Sequence, residues 1–436
     1  MPDAWVICLM LTLVALVLAW FGPGADAQQS MLAWGKGVWT LLELAMQLTL
    51  AMVAAHACAT ARPVYRLLDR LAGLPDPDRP IHAVLLVGIF SLVTGYLNWA
   101  VSLVATAAFV PFVLRRNPLV DVRLIVAAAY MGIGTVWHGG LSGSAPLVMA
   151  TPGNPLLEAG VVDRLYPTTE TIFNGFNLSL LAIVGGAALA VACLLHPRRG
   201  DVVRMSADEV ACLMPAPAPE EAAVTPAGRI DRWRGWTWLA GALLAYPLGY
   251  TIAIQGFGAS WTINAYNTAF LTLALLLHGR ATAFLNACRE GAEAAWGIIL
   301  QFPFYGGIFG ILQYTGLGRW LGELFAGHAT SATYPFLVYL YSAVMNLFVP
   351  SGGTKWLLEA PFLLPAGEAL GVSPVTVLLA YCYGDSTTNL IQPFFAIPIL
   401  AATGLKFGQI VGYTAIIGMV VFTLNSAAMF LIPLKF

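Results

Sequence analysis

Apolar residues run through this chain in long stretches, with little of the polar alternation that marks soluble helices or strands. Stretches of the length needed to cross a bilayer as helices recur at roughly 4–22, 38–60, 81–113, 121–137, 172–195, 235–255, 261–278, 294–315, 332–349, 374–403 and 408–434. They predict an all-α polytopic membrane protein with about 9–11 transmembrane helices. Two polar, glycine-rich breaks interrupt the pattern. The first runs Trp137-His138-Gly139-Gly140-Leu141-Ser142-Gly143-Ser144-Ala145-Pro146 and continues to Thr151-Pro152-Gly153-Asn154-Pro155. The second runs from Asn346 to Trp356 through Pro350-Ser351-Gly352-Gly353-Thr354-Lys355. Irregular backbone at membrane depth is tolerated only where protein buries it or where it lines a polar cavity. One such break in each half of a chain points to the central site of a transporter.

The breaks predict two re-entrant hairpins, near 121–160 and near 332–366, and the chain divides into a first half (1–196), a linker (197–234) and a second half (235–436). The linker is rich in Pro and Ala and carries Arg198, Arg199, Arg204 and Glu220-Glu221, so it reads as a mobile, solvated connector. Arginines there, at Arg62–Arg79 and at Arg115–Arg123 place these loops on the cytoplasmic side by the positive-inside rule. Behind each break lies a helix with polar residues, Thr168 to Asn177 in the first half and Tyr383 to Asn389 in the second. This order predicts two inverted repeats. A simple span count gives both halves the same orientation, so either 81–113 breaks in two or 281–330 holds an extra crossing. The run from Trp5 to Phe21 ends near Ala25-Asp26-Ala27, which resembles a signal-peptidase site, but Met1-Pro2-Asp3 carries no positive side chain. A retained first helix is the expectation.

Composition narrows the functional classes. With 59% hydrophobic residues, 10% charged residues and a net charge of −1, the chain offers no basic surface for nucleic acid. Its six cysteines are scattered without C-x-x-C spacing and its six histidines lack H-E-x-x-H spacing. No disulfide framework, zinc site or other cofactor is expected, apart from Na+ or H+ as a coupling ion.

A tip of the Ser-Gly-Ser or Ser-Gly-Gly-Thr kind presents backbone N–H groups and hydroxyls at mid-membrane. A helix N-terminus carries about +0.5 elementary charge, so such a tip suits a carboxylate. Ser142, Gly143, Ser144, Ser351, Gly352, Gly353 and Thr354 are therefore candidate substrate-binding residues, with Asn177 as a polar anchor. Close helix packing is the alternative use of the same small residues. Asp385, at a helix centre, costs about 2.5–3.5 kcal/mol to insert and is expected to face a polar cavity. Asp385, Thr388, Asn389 and His138 are the candidates for ion or proton coupling, and Asn177, Asp385 and Asn389 form the candidate Na+ site. His138 suits a proton shuttle or a structural role within the break. Lys355 and Glu359, four residues apart, read as an ordinary intrahelical pair, with Lys355 facing a substrate carboxylate as the alternative.

No arginine lies in either break or its partner helix, which favours a small monocarboxylate over a di- or tricarboxylate. The aromatic segments Gln301 to Gly307 and Pro393-Phe394-Phe395 suit a short apolar tail. An enzyme reading starts from Gly140-Leu141-Ser142-Gly143, which matches the G-x-S-G around the nucleophile of rhomboid-type intramembrane serine proteases. That serine needs a histidine base within reach, and His196, His278 and His328 all fall near span ends. Transport, active or by a passive facilitator, is preferred.

These motifs resemble the short-chain fatty acid transporter (AtoE-type) family almost end to end. The resemblance rests on Asn98-Trp99, Gly139 to Pro155, Phe173 to Asn177, Ile263-Asn264 with Asn267, Leu300 to Gly307, Val349 to Gly353 and Gln392-Pro393-Phe394. Ser351 to Asn389 also resembles the p-aminobenzoyl-glutamate transporter family, through Lys355-Trp356, Ala360-Pro361, Gly384-Asp385-Ser386 and Thr388-Asn389. Both resemblances imply a broader ion transporter superfamily with paired hairpins and a transport domain that moves as an elevator against a scaffold. They imply gradient-driven symport of butyrate, acetoacetate or similar acids, a homodimer, and the inner membrane of a bacterium.

Overall fold

The computed structural model describes residues 4–198, 200–214, 225–347, 349 and 351–434. Met1 to Asp3, Arg199, Glu220-Glu221 of the linker, and Phe348 and Pro350 of the second break lie outside the described residues. Among the described residues all regular structure is helical. The first half runs α1 (Ala4–Phe21), α2 (Ala27–Gly37), α3 (Leu42–Ala59), α4 (Arg62–Ala72), α5 (Pro80–Leu97), α6 (Trp99–Arg116), α7 (Val122–Tyr130), α8 (Ser144–Ala150), α9 (Pro155–Glu158) and α10 (Gly175–Leu194). Two short helices, α11 (Ala207–Leu213) and α12 (Pro226–Asp231), belong to the linker. The second half runs α13 (Gly235–Gln255), α14 (Phe257–Ser260), α15 (Ile263–His278), α16 (Ala281–Tyr314), α17 (Leu317–Gly327), α18 (Tyr334–Asn346), α19 (Gly352–Ala369), α20 (Pro374–Thr388), α21 (Ile397–Thr403) and α22 (Phe407–Met429). Seven of the described helices contain a stretch long and apolar enough to cross a membrane, and α1 and α7 are shorter apolar helices.

One group of helices forms around α16, which packs along α1, α2 and α3 while α15 packs on α3 and α13. Small residues set the α2–α16 distance. A Cβ on Gly310 would stand 2.8 Å from the Cα of Gly37, so only glycine lets these backbones touch. Phe304 packs edge-on against Trp5 and Trp34. The Gln301–Gly307 segment, expected to line the site, therefore contributes Phe304 and its glycines to helix packing. Polar side chains tie this group across its width: Gln47 Nε2 donates to Asn264 Oδ1 at 3.1 Å, and Asn267 Nδ2 donates to the Gln47 carbonyl at 2.8 Å.

The span expected over 81–113 breaks in two at Asn98, and the 281–330 stretch forms α16 followed by α17. Asn98 leaves the helical region (φ −161, ψ 113), and its Oδ1 accepts from the N–H groups of Ala100 and Val101 to start α6. The chain then folds back on itself. Phe90 meets Phe109 with ring centroids 4.7 Å apart, and Thr94 Oγ1 donates to Ser102 Oγ at 3.1 Å, pairings centred on the turn at residues 98–100. In the second half α18 and α19 form a similar antiparallel pair. Tyr334 OH donates to the Leu363 carbonyl at 2.7 Å and Lys355 Nζ to the Ser342 carbonyl at 3.0 Å.

Two broken helices pass between these pairs. Residues 122–134 continue from α7 into a 3-10 turn, and irregular chain then leads to α8. α7 packs on α5 and α22, whereas α8 packs on α15, α19 and α20. In the second half α20 gives way to a 3-10 turn at Asn389–Ile391 before α21, which packs on α6 and α7. The two turns touch, and Tyr130 OH pins them by donating to the carbonyls of Asn389 at 2.7 Å and Gln392 at 3.1 Å.

Candidate substrate and coupling site

The two sequence breaks meet. A Cβ on Gly353 would lie 3.1 Å from the Cβ of Ser144, and one on Gly352 would lie 2.5 Å from the His138 ring and 3.0 Å from Asp385 Oδ2. Ser142 to Ser144 and Ser351 to Gly353 are thus neighbours. The start of α6 joins them, because the Trp99 N–H donates to Ser142 Oγ at 2.9 Å. Ser351 turns its hydroxyl to Thr354 Oγ1 at 2.9 Å and does not cap the first N–H groups of α19. An 18-residue helix therefore directs an uncapped positive end at the junction.

Behind the junction lies a cluster of buried ionisable side chains. His138, Lys355, Glu359 and Asp385 are 0%, 1%, 2% and 1% exposed. His138 Nδ1 stands 2.8 Å from Asp385 Oδ2, and Lys355 Nζ stands 3.2 Å from Asp385 Oδ1. Asp385 thus has the imidazole at one oxygen and the ammonium at the other. Lys355 Nζ donates to Ser342 Oγ at 2.6 Å and lies over the Tyr381 ring at 4.2 Å. The His138 ring stacks on Trp137 with centroids 4.4 Å apart, and its Nε2 accepts from the Ala145 N–H and meets Ser144 Oγ, both at 3.3 Å. A ring nitrogen that accepts from a backbone N–H carries no proton. The other ring nitrogen, Nδ1, is the one that faces Asp385.

The expected pairing of Lys355 with Glu359 as an ordinary exposed pair is corrected by these distances. Both side chains are buried, and the ammonium lies closer to Asp385 than to Glu359 Oε2, which is 3.9 Å away. Lys355 is the member of this buried cluster that the sequence reading undervalued. Its signal was the apolar surroundings, Trp356, Leu357, Leu358 and Ala360, which leave a charge no exposed face.

Asn177 and Asn389 sit in separate networks. Asn177 Nδ2 donates to the carbonyls of Gly139 at 2.9 Å and Ile172 at 2.7 Å, while its Oδ1 accepts from Tyr383 OH at 2.9 Å. Asn389 Oδ1 accepts from Asn346 Nδ2 at 2.7 Å, and Thr388 Oγ1 donates to the Ala343 carbonyl at 2.9 Å. Asn346 also reaches the Asp385 carbonyl at 2.7 Å, and so ties the end of α18 to α20. These amides brace the breaks. Asp385 and His138 face the junction itself.

Ser144, His138 and Asp385 follow one another in the order of a hydrolytic triad, whereas Ser142, the serine singled out in sequence, is held by Trp99. His138 Nε2 is shared between Ser144 and the Ala145 N–H, and Asp385 also meets an ammonium, contacts that a hydrolytic triad does not need. Trp99, Trp137 and Phe395 form a ring cluster, with centroids 6.3 to 6.4 Å apart, beside His138. Of the two aromatic segments expected around a substrate tail, Pro393–Phe395 brings the Phe395 ring to this cluster. From Trp99 a cavity of about 340 Å³ runs along α6 past Leu103 and Ala107 to Pro111, with Leu213 of the linker in its wall.

Comparison with known proteins agrees with this architecture. The family described as short chain fatty acid transporter matches residues 1–434. A protein of Escherichia coli described as a short-chain fatty acid transporter is 36% identical over 420 residues, covering 95% of this chain and 92% of that protein. A counterpart in Haemophilus influenzae is 31% identical over the same coverage. Among solved structures, the Alcanivorax borkumensis YdaH transporter superposes with a TM-score of 0.62 at 17% identity, covering 99% of this chain and 98% of that one. Neisseria gonorrhoeae MtrF, described within a class of antimetabolite efflux pumps, superposes with a TM-score of 0.59 at 15% identity, covering 99% and 95%. At these identities the two structures speak for the fold alone.

Proposed function

This chain belongs to the short-chain fatty acid transporter family, and from that premise we propose that it takes up small monocarboxylates such as butyrate and acetoacetate by proton-coupled symport. The observation that carries the proposal is the meeting of both glycine-serine breaks over the buried Asp385–Lys355–His138 cluster. The substrate carboxylate binds at the uncapped start of α19, beside Ser144 and Gly353, where helix N–H groups replace its water. Its tail lies toward Trp99 and the apolar cavity along α6. The proton is favoured over Na+ because Asp385, the one carboxylate of the candidate Na+ set, already meets an ammonium and an imidazole.

Alternating access is proposed to come from two inverted repeats, α3–α8 with α10 and α16–α21 with α22. The packing supports that pairing. α6 packs on α3 and α4 as α19 packs on α16 and α17; α5 packs on α7 as α18 packs on α20. α21 packs on α6 as α8 packs on α19, while α3–α16 and α10–α22 join counterparts. In this reading the α5–α6 pair, turning at Asn98, is the first-half counterpart of α18–α19. The hairpins and broken helices move together as an elevator against α1–α3, α13, α15 and α16, in a homodimer in a bacterial inner membrane.

Purified protein in liposomes, with pH and Na+ gradients imposed separately, tests this. Labelled butyrate or acetoacetate is expected to accumulate above equilibrium under an inward pH gradient alone. Accumulation under Na+ alone would return the coupling to Asn177, Asp385 and Asn389. Uptake that stops at equilibrium under both gradients would make the protein a facilitator, and absence of uptake of any small monocarboxylate would sink the substrate class.

A further inference from the structure

We infer that Glu359 carries the coupling proton, and that Lys355 is shared between Glu359 and Asp385 as that proton comes and goes. The inference rests on the proton-coupled reading above and names the group that performs it. Glu359 is 2% exposed, and neither of its carboxyl oxygens has a hydrogen-bond partner among the described residues. The nearest cation, Lys355, stands 3.9 Å away and is engaged by Ser342 and by Asp385 at 3.2 Å.

Charge balance locates the proton. His138 turns Nε2 to the Ala145 N–H and only Nδ1 to the cluster, so Lys355 is the one ammonium that lies between two carboxyl groups. A buried site of this depth holds opposite charges in pairs, so one carboxyl must be a neutral acid. Asp385 has the ammonium at 3.2 Å and the imidazole Nδ1 at 2.8 Å; Glu359 has the ammonium alone, at 3.9 Å. The proton therefore sits on Glu359. Facing Glu359 electrostatically are Lys355 on its own helix, Tyr341 from α18, and Tyr381 and Asp385 from α20. The charged side chains of the other packed elements, Glu158 on α9, Arg289, Glu290 and Glu293 on α16, and Arg319 and Glu323 on α17, are exposed.

Coupling follows from Asp385 lying directly under the start of α19, where its Oδ2 would stand 3.0 Å from a Cβ on Gly352. With Glu359 protonated, Lys355 neutralises Asp385, and the helix end can accept a substrate carboxylate. When the Glu359 proton leaves to water, the new carboxylate draws the ammonium across the short gap. Asp385 then stands uncompensated beneath the substrate and repels it. Proton and monocarboxylate bind together from one side and are released together on the other, and each strengthens the other's binding by the same factor.

The test uses the full-length protein in liposomes with labelled butyrate, in the wild type, Glu359→Gln and Glu359→Asp. Two readouts are compared: accumulation under a pH gradient, and butyrate exchange at equal pH on both sides. Glu359→Gln, a fixed neutral amide, is expected to keep exchange within about threefold of wild type while its accumulation ratio falls to equilibrium. Its butyrate affinity should no longer weaken as pH rises, whereas Glu359→Asp retains both pH responses. Glu359→Gln that still accumulates butyrate like the wild type overturns the inference and leaves proton symport standing. Loss of exchange as well as accumulation in a variant that melts as the wild type does also overturns it, since Glu359 would then serve binding and not coupling. A wild type that takes up no monocarboxylate sinks both readings together.

Discussion

Replacing Asp385 with Asn is expected to lower gradient-driven uptake by about a hundredfold or more. The amide keeps the shape of the side chain but removes the negative charge that Lys355 and His138 meet at 3.2 and 2.8 Å. Taking one partner from a buried ion pair costs on the order of 3–5 kcal/mol, because the other charge stays behind without compensation. At about 1.4 kcal/mol per factor of ten, that is roughly two to three and a half decades in a conformational or binding equilibrium. The stranded ammonium retains Ser342 and the Tyr381 ring and turns toward Glu359. Pairing Asp385→Asn with Lys355→Met is expected to recover the melting temperature without recovering accumulation. Thermal melts and liposome uptake on the two single variants and the double variant separate lost stability from lost coupling.

The second large effect is expected at Gly352→Ala, with at least a tenfold loss of uptake and a modest loss of stability. The added methyl would stand 2.5 Å from the His138 ring, closer than real contacts allow. The ring has little freedom to yield, because Trp137 stacks on one face while Ser144 and Ala145 hold its far nitrogen. Overpacking of this kind costs about 1–3 kcal/mol, and here relief means moving the imidazole off Asp385 or the α19 tip off the junction. Gly186→Ala on α10 is the control, since nothing lies within 4 Å of its added methyl. Uptake and melting curves of the two variants, measured together, separate the local clash from a general effect of losing glycine.

The positions of the breaks were legible in sequence because glycine, proline and hydroxyl residues are costly inside apolar helices and persist there for a reason. The helical class and the family were legible for similar reasons. How the segments pair was not. A helix that turns back at mid-membrane has the same apolar composition as one that crosses, and the corner at Asn98 takes a single residue with no Gly or Pro to mark it. The spacing of Lys355 and Glu359 is equally that of a solvent-exposed pair; Asp385, thirty residues on along the chain, is what captures the lysine. Asn177, a polar anchor by its sequence, bonds to Gly139, Ile172 and Tyr383 and so clamps the first break onto α20, partners that no spacing announces. An amide that braces a site and an amide that binds a ligand look alike in one dimension.

The central claim is that both breaks and the ion cluster beneath them make one carboxylate site. Locating a bromine-labelled short-chain acid such as 4-bromobutyrate by anomalous scattering from crystals of the complex tests it most directly. The account predicts the carboxylate in contact with Ser144 and the start of α19 at Gly352–Gly353, with the bromine toward Trp99. An acid bound away from that junction, with its carboxylate reaching neither break, would contradict it.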